Sequence, residues 1–434
     1  MQSDEWATRR RRVMEQVGSD GLAILAAAPE RVRNRDVLYP YRQDSDFHYL
    51  TGFDEPRAVM VLAPGREEGE YVLFCRDRDP ARETWDGRRA GPEGAMRDYG
   101  ADCAYSIDSL DELMPQLMAD RARIFHTLGR AQWLDRSVVR WMNGLRERER
   151  AGVRAPEQVI ALDPALHEMR LRKSAGELER MRRAMETSTR AHIRAMQRCR
   201  PGMTEYQVAA ELHYVFGADG MEPAYGSIVG GGANGCILHY VENADTLRDG
   251  ELLLIDAGAE YRGYCADITR TFPVNGRFSA AQRAVYEVVL AAQRAAIEQV
   301  RPGNHYMRPH EAAVATLTRG LVDLGILQGD ADELVQDHAY RPYYMHGTGH
   351  WLGMDVHDVG AYKVNGAWRA LEPGMVVTIE PGLYLPAGLE GVDARYADIG
   401  IRIEDDVLVT DAGCEVMTQD TPKTVADIET VMAG

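Results

Sequence analysis

The stretch LLLIDAGAEYRGYCADITRTF, residues 252–272, decides the fold of the C-terminal half of the chain. Its first apolar run leads directly into Asp256, and a second run, rich in aromatic and β-branched residues, carries Asp267. We predict that the chain reverses at residues 260–263, so that the two runs pair as a buried antiparallel hairpin. In that register Asp256 lies directly opposite Asp267 on one face, with the two Cβ atoms about 4.5–5.5 Å apart.

Two ionised carboxylates at that distance require compensation, because they repel each other and because burial of an unpaired charge is costly. A shared proton, a nearby Arg or Lys side chain, or a metal ion would each supply it. The rest of the sequence favours the metal ion. Further acids and histidines occur downstream, at Glu380, Glu404, His346, His350 and His357.

This set of side chains is typical of a site for divalent ions. Four carboxylates with one or two imidazoles suit Mn²⁺ best, with Co²⁺ or Zn²⁺ as alternatives, and they disfavour soft metals. The four acids exceed the charge that one ion requires, so two ions that share bridging carboxylates fit better. Taken one at a time, these acids and histidines could also have simpler structural roles. An aspartate can form a turn or a cap, His346 and His350 can form a polar pair, and Arg402 can form a salt bridge with Glu404.

The segments DGELLLIDAG and PGMVVTIEPG form a weak internal repeat. Gly250 precedes Asp256 by six positions, and Gly374 precedes Glu380 by the same six positions. An Arg-Pro-Gly triplet also occurs twice, each time after a helical stretch. Unless the match arose by chance, two copies of one α/β unit are related by a pseudo-twofold axis, and each places a carboxylate at the same point.

The first 170 residues have the pattern of a separate α/β domain. Short apolar strands, GLAILAAAP, AVMVLAP and YVLFC, occur with helical stretches such as SLDELMPQLMAD. Ser174 and Glu177 then form an S-x-x-E capping box that begins a long helix. We therefore expect two domains, at residues 1–170 and 171–434, in agreement with a length of 434 residues.

Composition excludes several classes of partner. The formal net charge of -17 argues against nucleic acid or an anionic membrane surface, whose phosphates this chain would repel. The longest apolar run near the N-terminus, LAILAAA, is too short to span a bilayer, and the charged N-terminus lacks the apolar core of a signal peptide. The six cysteines form no C-x-x-C pair, which is typical of reduced thiols. We expect a cytoplasmic protein.

Four motifs, in order along the chain, resemble those of the pita-bread metallopeptidases, which include methionine aminopeptidase, prolidase and aminopeptidase P. The motifs are DAG-x8-D-x-TRTFPV, HG-x-x-HWLGMDVHD, IEPGLY and GIRIEDD. Four further segments are most similar to those of bacterial aminopeptidase P: YPYRQDSDFHYLTGFDEPRAVMVL, WDGRR, HEMRLRKS and YGSIVGGGANGCILHYVEN. The resemblance implies a creatinase-like N-terminal α/β domain and a pita-bread catalytic domain with an internal pseudo-twofold repeat.

The resemblance also implies roles for individual residues. Two Mn²⁺ ions would be bound by Asp256, Asp267, His350, Glu380 and Glu404. Asp267 and Glu404 would bridge both ions, Asp256 would bind one ion, and His350 and Glu380 would bind the other.

Other positions match residues around the metal site of the family. His239 and His357 match active-site histidines, and His346 matches a histidine of the proline-side pocket. Tyr384 and Arg402 match residues that hold the metal cluster through hydrogen bonds.

Asp36 and Trp85 match residues that reach the active site of a neighbouring subunit, which implies a homotetramer built as a dimer of dimers. Two positions depart from the family pattern. Gly349 stands where a serine is usual, and His48 stands where an aromatic residue such as tryptophan is expected.

The expected activity is hydrolysis of the bond between an N-terminal residue and a following proline, by a hydroxide shared between the two metal ions. Glu380 is the expected proton acceptor. Prolidase, which cleaves Xaa-Pro dipeptides, would share every metal ligand and is the nearest alternative. More distant alternatives are creatinase-type hydrolysis without a metal and a non-catalytic binding protein of the same fold. The expected partners are proline-containing peptides.

Overall fold

The structure, a computed structural model, describes residues 2–434, with side chains from residue 5 onward. Two compact units divide the chain, one ending at His167 and the other spanning Glu168–Gly434. The predicted boundary at residue 170 lies close to this division, in the helix Asp163–Leu171. Within the described residues, no helix is both long enough and apolar enough to cross a membrane.

The N-terminal unit is built on a six-stranded mixed sheet. Its strands are β1 (Gly21–Ala26), β2 (Val32–Asn34), β3 (Val37–Leu38), β4 (Val59–Leu62), β5 (Tyr71–Cys75), β6 (Cys103–Ser106), β7 (Arg123–Phe125) and β8 (Gln158–Ile160). The sheet order is β6-β5-β4-β1-β7-β8, and β2 and β3 form a separate hairpin. The three strands predicted from the sequence correspond to β1, β4 and β5. These lie within the sheet, and their residues are buried on both faces. The α/β prediction for this unit is confirmed.

Helices cover this sheet, and apolar residues of two of them complete its core. The helices are α1 (Gln2–Val17), α2 (Ser45–Thr51), α3 (Pro80–Asp86), α4 (Gly91–Tyr99), α5 (Leu110–Met118), α6 (Gln132–Arg146) and α7 (Asp163–Leu171). The face of α6 that carries Leu134, Val138 and Leu145 is buried against the sheet strands, as expected for an amphipathic helix.

The C-terminal unit combines long helices with several small antiparallel sheets. The helices are α8 (Ala175–Arg198), α9 (Glu205–Ala218), α10 (Ala280–Ile297), α11 (Arg308–Asp323), α12 (Ala331–Gln336) and α13 (Val425–Ala433). The strands are β9 (Glu222–Pro223), β10 (Ile228–Gly231), β11 (Leu252–Asp256), β12 (Ala259–Tyr261), β13 (Tyr264–Cys265), β14 (Thr269–Pro273), β15 (Lys363–Val364), β16 (Ala367–Trp368), β17 (Val376–Ile379), β18 (Gly382–Leu385), β19 (Ile399–Arg402), β20 (Asp405–Val409) and β21 (Cys414–Val416). The predicted capping box of Ser174 and Glu177 is present at the start of α8.

The order of elements confirms the internal repeat. The first half of this unit has α8, an Arg-Pro-Gly turn, α9 and the hairpin of β11 and β14. The second half has α10, a second Arg-Pro-Gly turn, α11 and the hairpin of β17 and β20. Each hairpin places an acid at the end of its first strand, Asp256 as the last residue of β11 and Glu380 directly after β17. The two hairpins therefore supply equivalent carboxylates.

The predicted register of the first hairpin is wrong by two residues. Asp256 lies opposite Thr269, and the pairing continues through hydrogen bonds on either side of Gly258, so that Asp267 falls opposite Gly258. The reason is the turn. Arg262 and Gly263 both adopt positive φ, 51° and 77°, and form a two-residue turn instead of the predicted four-residue one. Asp256 and Asp267 still share a face, because a shift of two preserves the alternation of the strand.

The second hairpin brings its two acids directly opposite each other. Ile379 pairs with Asp405, and Gly382 pairs with Arg402, so Glu380 falls opposite Glu404. The strands that carry these two acids are therefore paired with each other. Asp267, Glu380 and Glu404 lie in the gaps between short ladders, and Asp256 is the last paired residue before the gap of the first hairpin.

Gly258 is the position at which the first hairpin is most sensitive to a side chain. A Cβ atom there would lie 1.7 Å from the carbonyl oxygen of Ala266. We expect Gly258→Ala to destabilise the protein by about 3 kcal/mol, because backbone atoms must move apart. Gly217→Ala is the matched control, since Gly217 lies in α9 and an added Cβ atom would meet no neighbouring group within 4 Å. Thermal unfolding compares the two, and equal melting temperatures would contradict the prediction.

Candidate metal centre

Four carboxylates and one imidazole of the C-terminal unit converge on a single buried site. Carboxylate oxygens of Asp267 and Glu404 and a ring nitrogen of His350 all lie within 4.8 Å of one another. The Nε2 atom of His350 is 3.4 Å from Asp267 Oδ2 and 3.7 Å from Glu380 Oε1. Asp256 joins the cluster through Tyr225, which contacts both aspartates. The five residues predicted to bind metal are thus brought together.

The backbone around His350 is fixed by the strand that leads to Glu380. His350 N–H donates to Thr378 Oγ1, and Thr378 N–H donates to the His350 carbonyl, both at 3.0 Å. Glu380 N–H donates to the Thr348 carbonyl at 2.8 Å. The segment that carries His350 therefore runs alongside β17, and the imidazole and the Glu380 carboxylate face the same site.

One nitrogen of His350 is already engaged. Its Nδ1 atom lies 3.0 Å from the Trp351 carbonyl oxygen, which only accepts a hydrogen bond. Nδ1 therefore carries the proton that this contact requires, and Nε2 faces the acids. An imidazole that is oriented through Nδ1 and presents Nε2 is the common arrangement of a metal ligand.

Tyr225 connects the two aspartates of the first hairpin. Its hydroxyl lies 2.6 Å from Asp256 Oδ1 and 2.5 Å from Asp267 Oδ1. Burial and the two neighbouring carboxylates raise the pKa of Tyr225 well above its ordinary value, so this hydroxyl keeps its proton. A hydroxyl has one proton to donate and faces two acceptors, so it satisfies only part of the hydrogen-bonding demand of the two aspartates.

Arg402 is the cation that contacts the acids directly. Its Nη2 atom donates to Asp256 Oδ2 at 2.6 Å, and its Nη1 atom donates to the Tyr384 hydroxyl at 3.0 Å. Its Nε atom donates to Thr269 Oγ1 at 3.1 Å, and that hydroxyl donates to Glu404 Oε2 at 2.6 Å. Arg402 thus pairs with Asp256 of the other hairpin, and it reaches Glu404 only through Thr269.

The electrostatics of the cluster show an excess of negative charge. Burial raises the pKa of Asp256, and the charge of Asp267 adds to it, while Arg402 opposes the shift. Burial likewise raises the pKa of Glu380 to about 7 and that of Glu404 well above its ordinary value. Arg402 and a protonated His350 together do not balance four acids, so all four ionise only when further positive charge enters the site.

The histidines respond to the same field in different ways. For His350, burial alone would lower the pKa, but the hydrogen bond to Asp267 and the charge of Glu380 together raise it to about 9. For His346, burial and then Arg402 lower the pKa to about 4. His346 Nε2 lies 2.8 Å from the Tyr384 hydroxyl and Nδ1 lies 2.7 Å from the Gly347 carbonyl oxygen. His346 and His350 therefore contact different partners and do not form a simple polar pair.

The other predicted active-site residues lie at different distances from the cluster of acids. The ring of His357 is 4.2 Å from that of His350, measured between centroids, so His357 borders the cluster. His239 is exposed, on the segment that follows β10. Asp36 and Trp85 belong to the N-terminal unit, in the turn between β2 and β3 and in α3 respectively, and both side chains are exposed.

The two departures from the family pattern have local explanations. A Cβ atom at Gly349 would lie 1.9 Å from the Thr378 carbonyl oxygen, so the backbone packs against β17 more closely than a serine permits without a shift. His48 lies in α2 of the N-terminal unit, where its Nδ1 atom is 2.5 Å from Asp54 Oδ1 and its ring contacts the edge of Trp6. The imidazole at this position thus forms a polar contact with Asp54.

A second group of acids with a histidine lies in the N-terminal unit. Asp46, Asp163 and His167 are close enough together to hold an ion. Arg130 already contacts all three, with distances of 2.6 Å to Asp46 Oδ2, 3.0 Å to Asp163 Oδ2 and 3.2 Å to His167 Nε2. The guanidinium supplies the positive charge, so we interpret this group as an ion-pair network.

Several residues of the site were not predicted from the sequence. Thr269 could have been found, because it follows Asp267 by two positions in a strand and therefore shares its face. Tyr225 gave no such signal, since it lies 31 residues from Asp256 along the chain. Asp406, which accepts a hydrogen bond from Asp267 N–H, was hidden within the acidic run that includes Glu404.

Arg402 offers a test of the charge imbalance. In protein stripped of divalent ions, we expect Arg402→Gln to lower the free energy of unfolding by about 3 kcal/mol or more, because Asp256 loses its buried partner. Arg194→Gln removes an arginine that pairs with Glu211 at the surface, and it should cost under about 1 kcal/mol. Denaturant unfolding at one pH measures both variants. Equal losses would show that Arg402 is not compensating the buried acids.

Comparisons with known proteins agree with this geometry. The family model described as Metallopeptidase family M24 matches residues 179–411, and the model described as Aminopeptidase P, N-terminal domain, matches residues 6–125. The chain is 46% identical to the Xaa-Pro aminopeptidase of Escherichia coli (strain K12) over 432 residues, which covers 99% of this chain and 98% of that protein.

Two solved structures are similar over nearly their full lengths. The Pseudomonas aeruginosa aminopeptidase PepP matches with a TM-score of 0.98 and 55% identity, covering 99% of this chain and 98% of that one. Zn-substituted E. coli aminopeptidase P in complex with product matches with a TM-score of 0.96 and 45% identity, with the same coverage. The chain belongs to metallopeptidase family M24 and, within it, to the pita-bread enzymes of the aminopeptidase P type.

Proposed function

We propose that this protein is an Xaa-Pro aminopeptidase, which hydrolyses the bond between an N-terminal residue and a following proline. The observation that carries the proposal is the buried convergence of Asp267, Glu404 and His350 with Glu380 beside them. Its similarity over nearly the full chain to proteins named Xaa-Pro aminopeptidase supports the substrate class.

The donor set fits divalent metal ions. Oxygen and imidazole ligands of this kind suit Mn²⁺, and they also accept Co²⁺ or Zn²⁺. Burial and the neighbouring carboxylates raise the pKa of Glu404, and burial raises that of Glu380, so bound cations would stabilise the ionised forms of both. We propose that two ions would be held here by Asp256, Asp267, His350, Glu380 and Glu404.

The chemistry then divides between the ions and the side chains. Two divalent ions bound here would lower the pKa of a water molecule and polarise the substrate carbonyl. Glu380 accepts the proton of the attacking water. Because Nδ1 of His350 is engaged by Trp351 and Nε2 faces the acids, His239 is the imidazole left to donate to the developing oxyanion. His357, next to His350, donates to the leaving nitrogen.

The substrate preference follows from the chemistry of proline. A bond that precedes proline has no N–H, so a peptidase that anchors its substrate through that donor loses the contact. The ring also fixes φ, which lowers the entropy lost on binding. His346 and Tyr384, joined by a hydrogen bond, would line the proline side of the site. The excess of carboxylates attracts the free α-ammonium group, which favours cleavage of the first residue only.

Prolidase remains the nearest alternative, because it would use the same metal ligands. The match of residues 6–125 to the aminopeptidase P N-terminal domain supports the aminopeptidase. Hydrolysis without a metal would leave the excess of buried acids without compensation. A non-catalytic binding protein would not require His350, Glu380 and the bordering His357 to converge as they do here.

The N-terminal unit suggests an assembly. We propose that Asp36 and Trp85 reach the active site of a neighbouring subunit in a homotetramer, a dimer of dimers, in the cytoplasm. Trp85 is 85% exposed, and the β2–β3 hairpin that carries Asp36 exposes Val32, Val37 and Leu38. Exposed apolar residues in one region are typical of a surface that a partner covers. Light scattering of the protein and of Trp85→Ala gives the oligomeric state, and a monomeric parent protein would refute the assembly.

The activity is tested with protein stripped of metal and assayed with and without Mn²⁺. The substrates are an Xaa-Pro-Yaa tripeptide, an Xaa-Pro dipeptide and an Xaa-Ala-Yaa control. We expect Mn²⁺ to restore release of the first residue from the proline tripeptide, with no cleavage of the alanine control. Asp267→Ala should lose metal binding and activity together, because its carboxylate is one of the proposed ligands at the centre of the cluster. Cleavage of the dipeptide alone would favour prolidase, and a fully active Asp267→Ala would refute its role as a ligand.

His357→Ala separates proton transfer from metal binding. We expect this variant to keep the metal content of the parent protein, because His357 is not among the proposed ligands. Its turnover should fall by about 10²–10⁴-fold, the usual contribution of a positioned acid or base. Elemental analysis gives the metal content, and steady-state kinetics with the proline tripeptide gives the rate. A variant with unchanged turnover would exclude His357 from the chemistry.

A further inference from the structure

Glu205, the first residue of α9, is a fully buried acid that lies outside the metal cluster. Its two carboxylate oxygens accept four hydrogen bonds. Oε1 accepts from Gly231 N–H at 2.8 Å and from Asn234 Nδ2 at 3.0 Å. Oε2 accepts from the Tyr240 hydroxyl at 2.8 Å and from Asp245 N–H at 2.8 Å. Four donors satisfy the carboxylate, which explains how a charged group is tolerated at this depth.

All four donors belong to one segment, residues 231–245, and they are spread from its first residue to its last. This segment links β10 to the strand β11 that ends at Asp256, and it carries His239. A single side chain therefore fixes both ends of the segment and also its middle, next to His239. Gly231 packs so closely on this region that an added Cβ atom would lie 2.5 Å from Leu247.

The segment has an inner and an outer face around His239. Cys236, Leu238 and Tyr240 point inward and pack in one apolar cluster with Tyr384. Residues 237, 239 and 241, which alternate with them, are exposed. Tyr384 in turn accepts a hydrogen bond from Arg402 and donates one to His346. The inner face therefore packs against Tyr384, and His239 projects from the opposite face, next to the anchored Tyr240.

Helix capping does not account for Glu205. Thr204 and Gln207 already form the capping box of α9. The oxygens of Glu205 accept from residues 231–245 and not from the first amides of its own helix. An acid at this position interacts favourably with the helix dipole, but that requires only its charge and not four partners in a distant segment.

The geometry points to Glu205 as a positioning residue that holds the 231–245 segment and thereby fixes the backbone from which His239 projects. This inference rests on the proposed function for its effect on catalysis. Its structural part, the anchoring of the segment, stands independently of the substrate.

Glu205→Gln tests the inference with little change in shape. An amide replaces one acceptor oxygen by NH₂, so two of the four donors lose their partner. We expect kcat for the proline tripeptide to fall about tenfold or more, because small displacements of a reacting group cost rates of this order. Metal content should stay unchanged. Hydrogen exchange of the Gly231 and Asp245 amides should become faster.

Glu211→Gln is the matched control, the same substitution on the same helix at a surface ion pair with Arg194. It should leave both kcat and exchange unchanged. The decisive comparison uses the His239→Ala background. If Glu205 acts through His239, adding Glu205→Gln there should not lower kcat further. An equal fold-loss in both backgrounds, or parent values of kcat and exchange in Glu205→Gln, would overturn the inference.

Hydrogen exchange distinguishes failure of the proposed function from failure of the anchoring inference. If the parent protein cleaves no proline peptide, the proposed function fails, and faster exchange of Gly231 and Asp245 in Glu205→Gln still supports the anchoring. Should Glu205→Gln fail to fold, Tyr240→Phe removes one donor and leaves the carboxylate in place. The inference predicts that Tyr240→Phe lowers kcat, by less than Glu205→Gln, in the parent protein but not in the His239→Ala background. If Tyr240→Phe leaves kcat of the parent protein unchanged, the inference is overturned.

Discussion

The C-terminal unit depends on how the protein places several carboxylates in a region from which water is largely excluded. Asp267 and Glu404 are 5% and 2% exposed, and the arginine that contacts the cluster pairs with Asp256. Hydrogen bonds offset part of their mutual repulsion: Tyr225 lies between the two aspartates, and Thr269 donates to Glu404. The same contacts leave negative charge uncompensated, and that surplus is what a divalent cation would neutralise.

The internal repeat explains why the acids meet at all. Each half of the unit contributes one hairpin, and each hairpin is interrupted where its acid occurs. The halves are joined across the site, since Glu404 N–H donates to the Thr269 carbonyl and Arg402 N–H donates to Thr271 Oγ1. Neither hairpin alone has the full set of acids. The site therefore exists only when both halves have folded and docked.

Much of this could be predicted from the sequence, because alternation and spacing are local properties. The hairpin, the shared face of Asp256 and Asp267 and the repeat at Glu380 all follow from patterns within a few residues. The register could not be predicted, because it depends on the positive φ of Arg262 and Gly263, which selects the turn length. Tyr225 and Glu205 were also inaccessible, since their partners are distant in sequence and only the packed structure brings them together.

The elevated pKa values of Glu380 and Glu404 bear on how the protein is assembled in a cell. A newly made chain can bind protons at these acids, so folding need not wait for a metal ion. Protons then neutralise these acids until metal binds, and metal binding becomes an exchange of protons for cations. Apparent metal affinity should accordingly rise with pH. Metal binding would then release protons from the same acids that hold the cation.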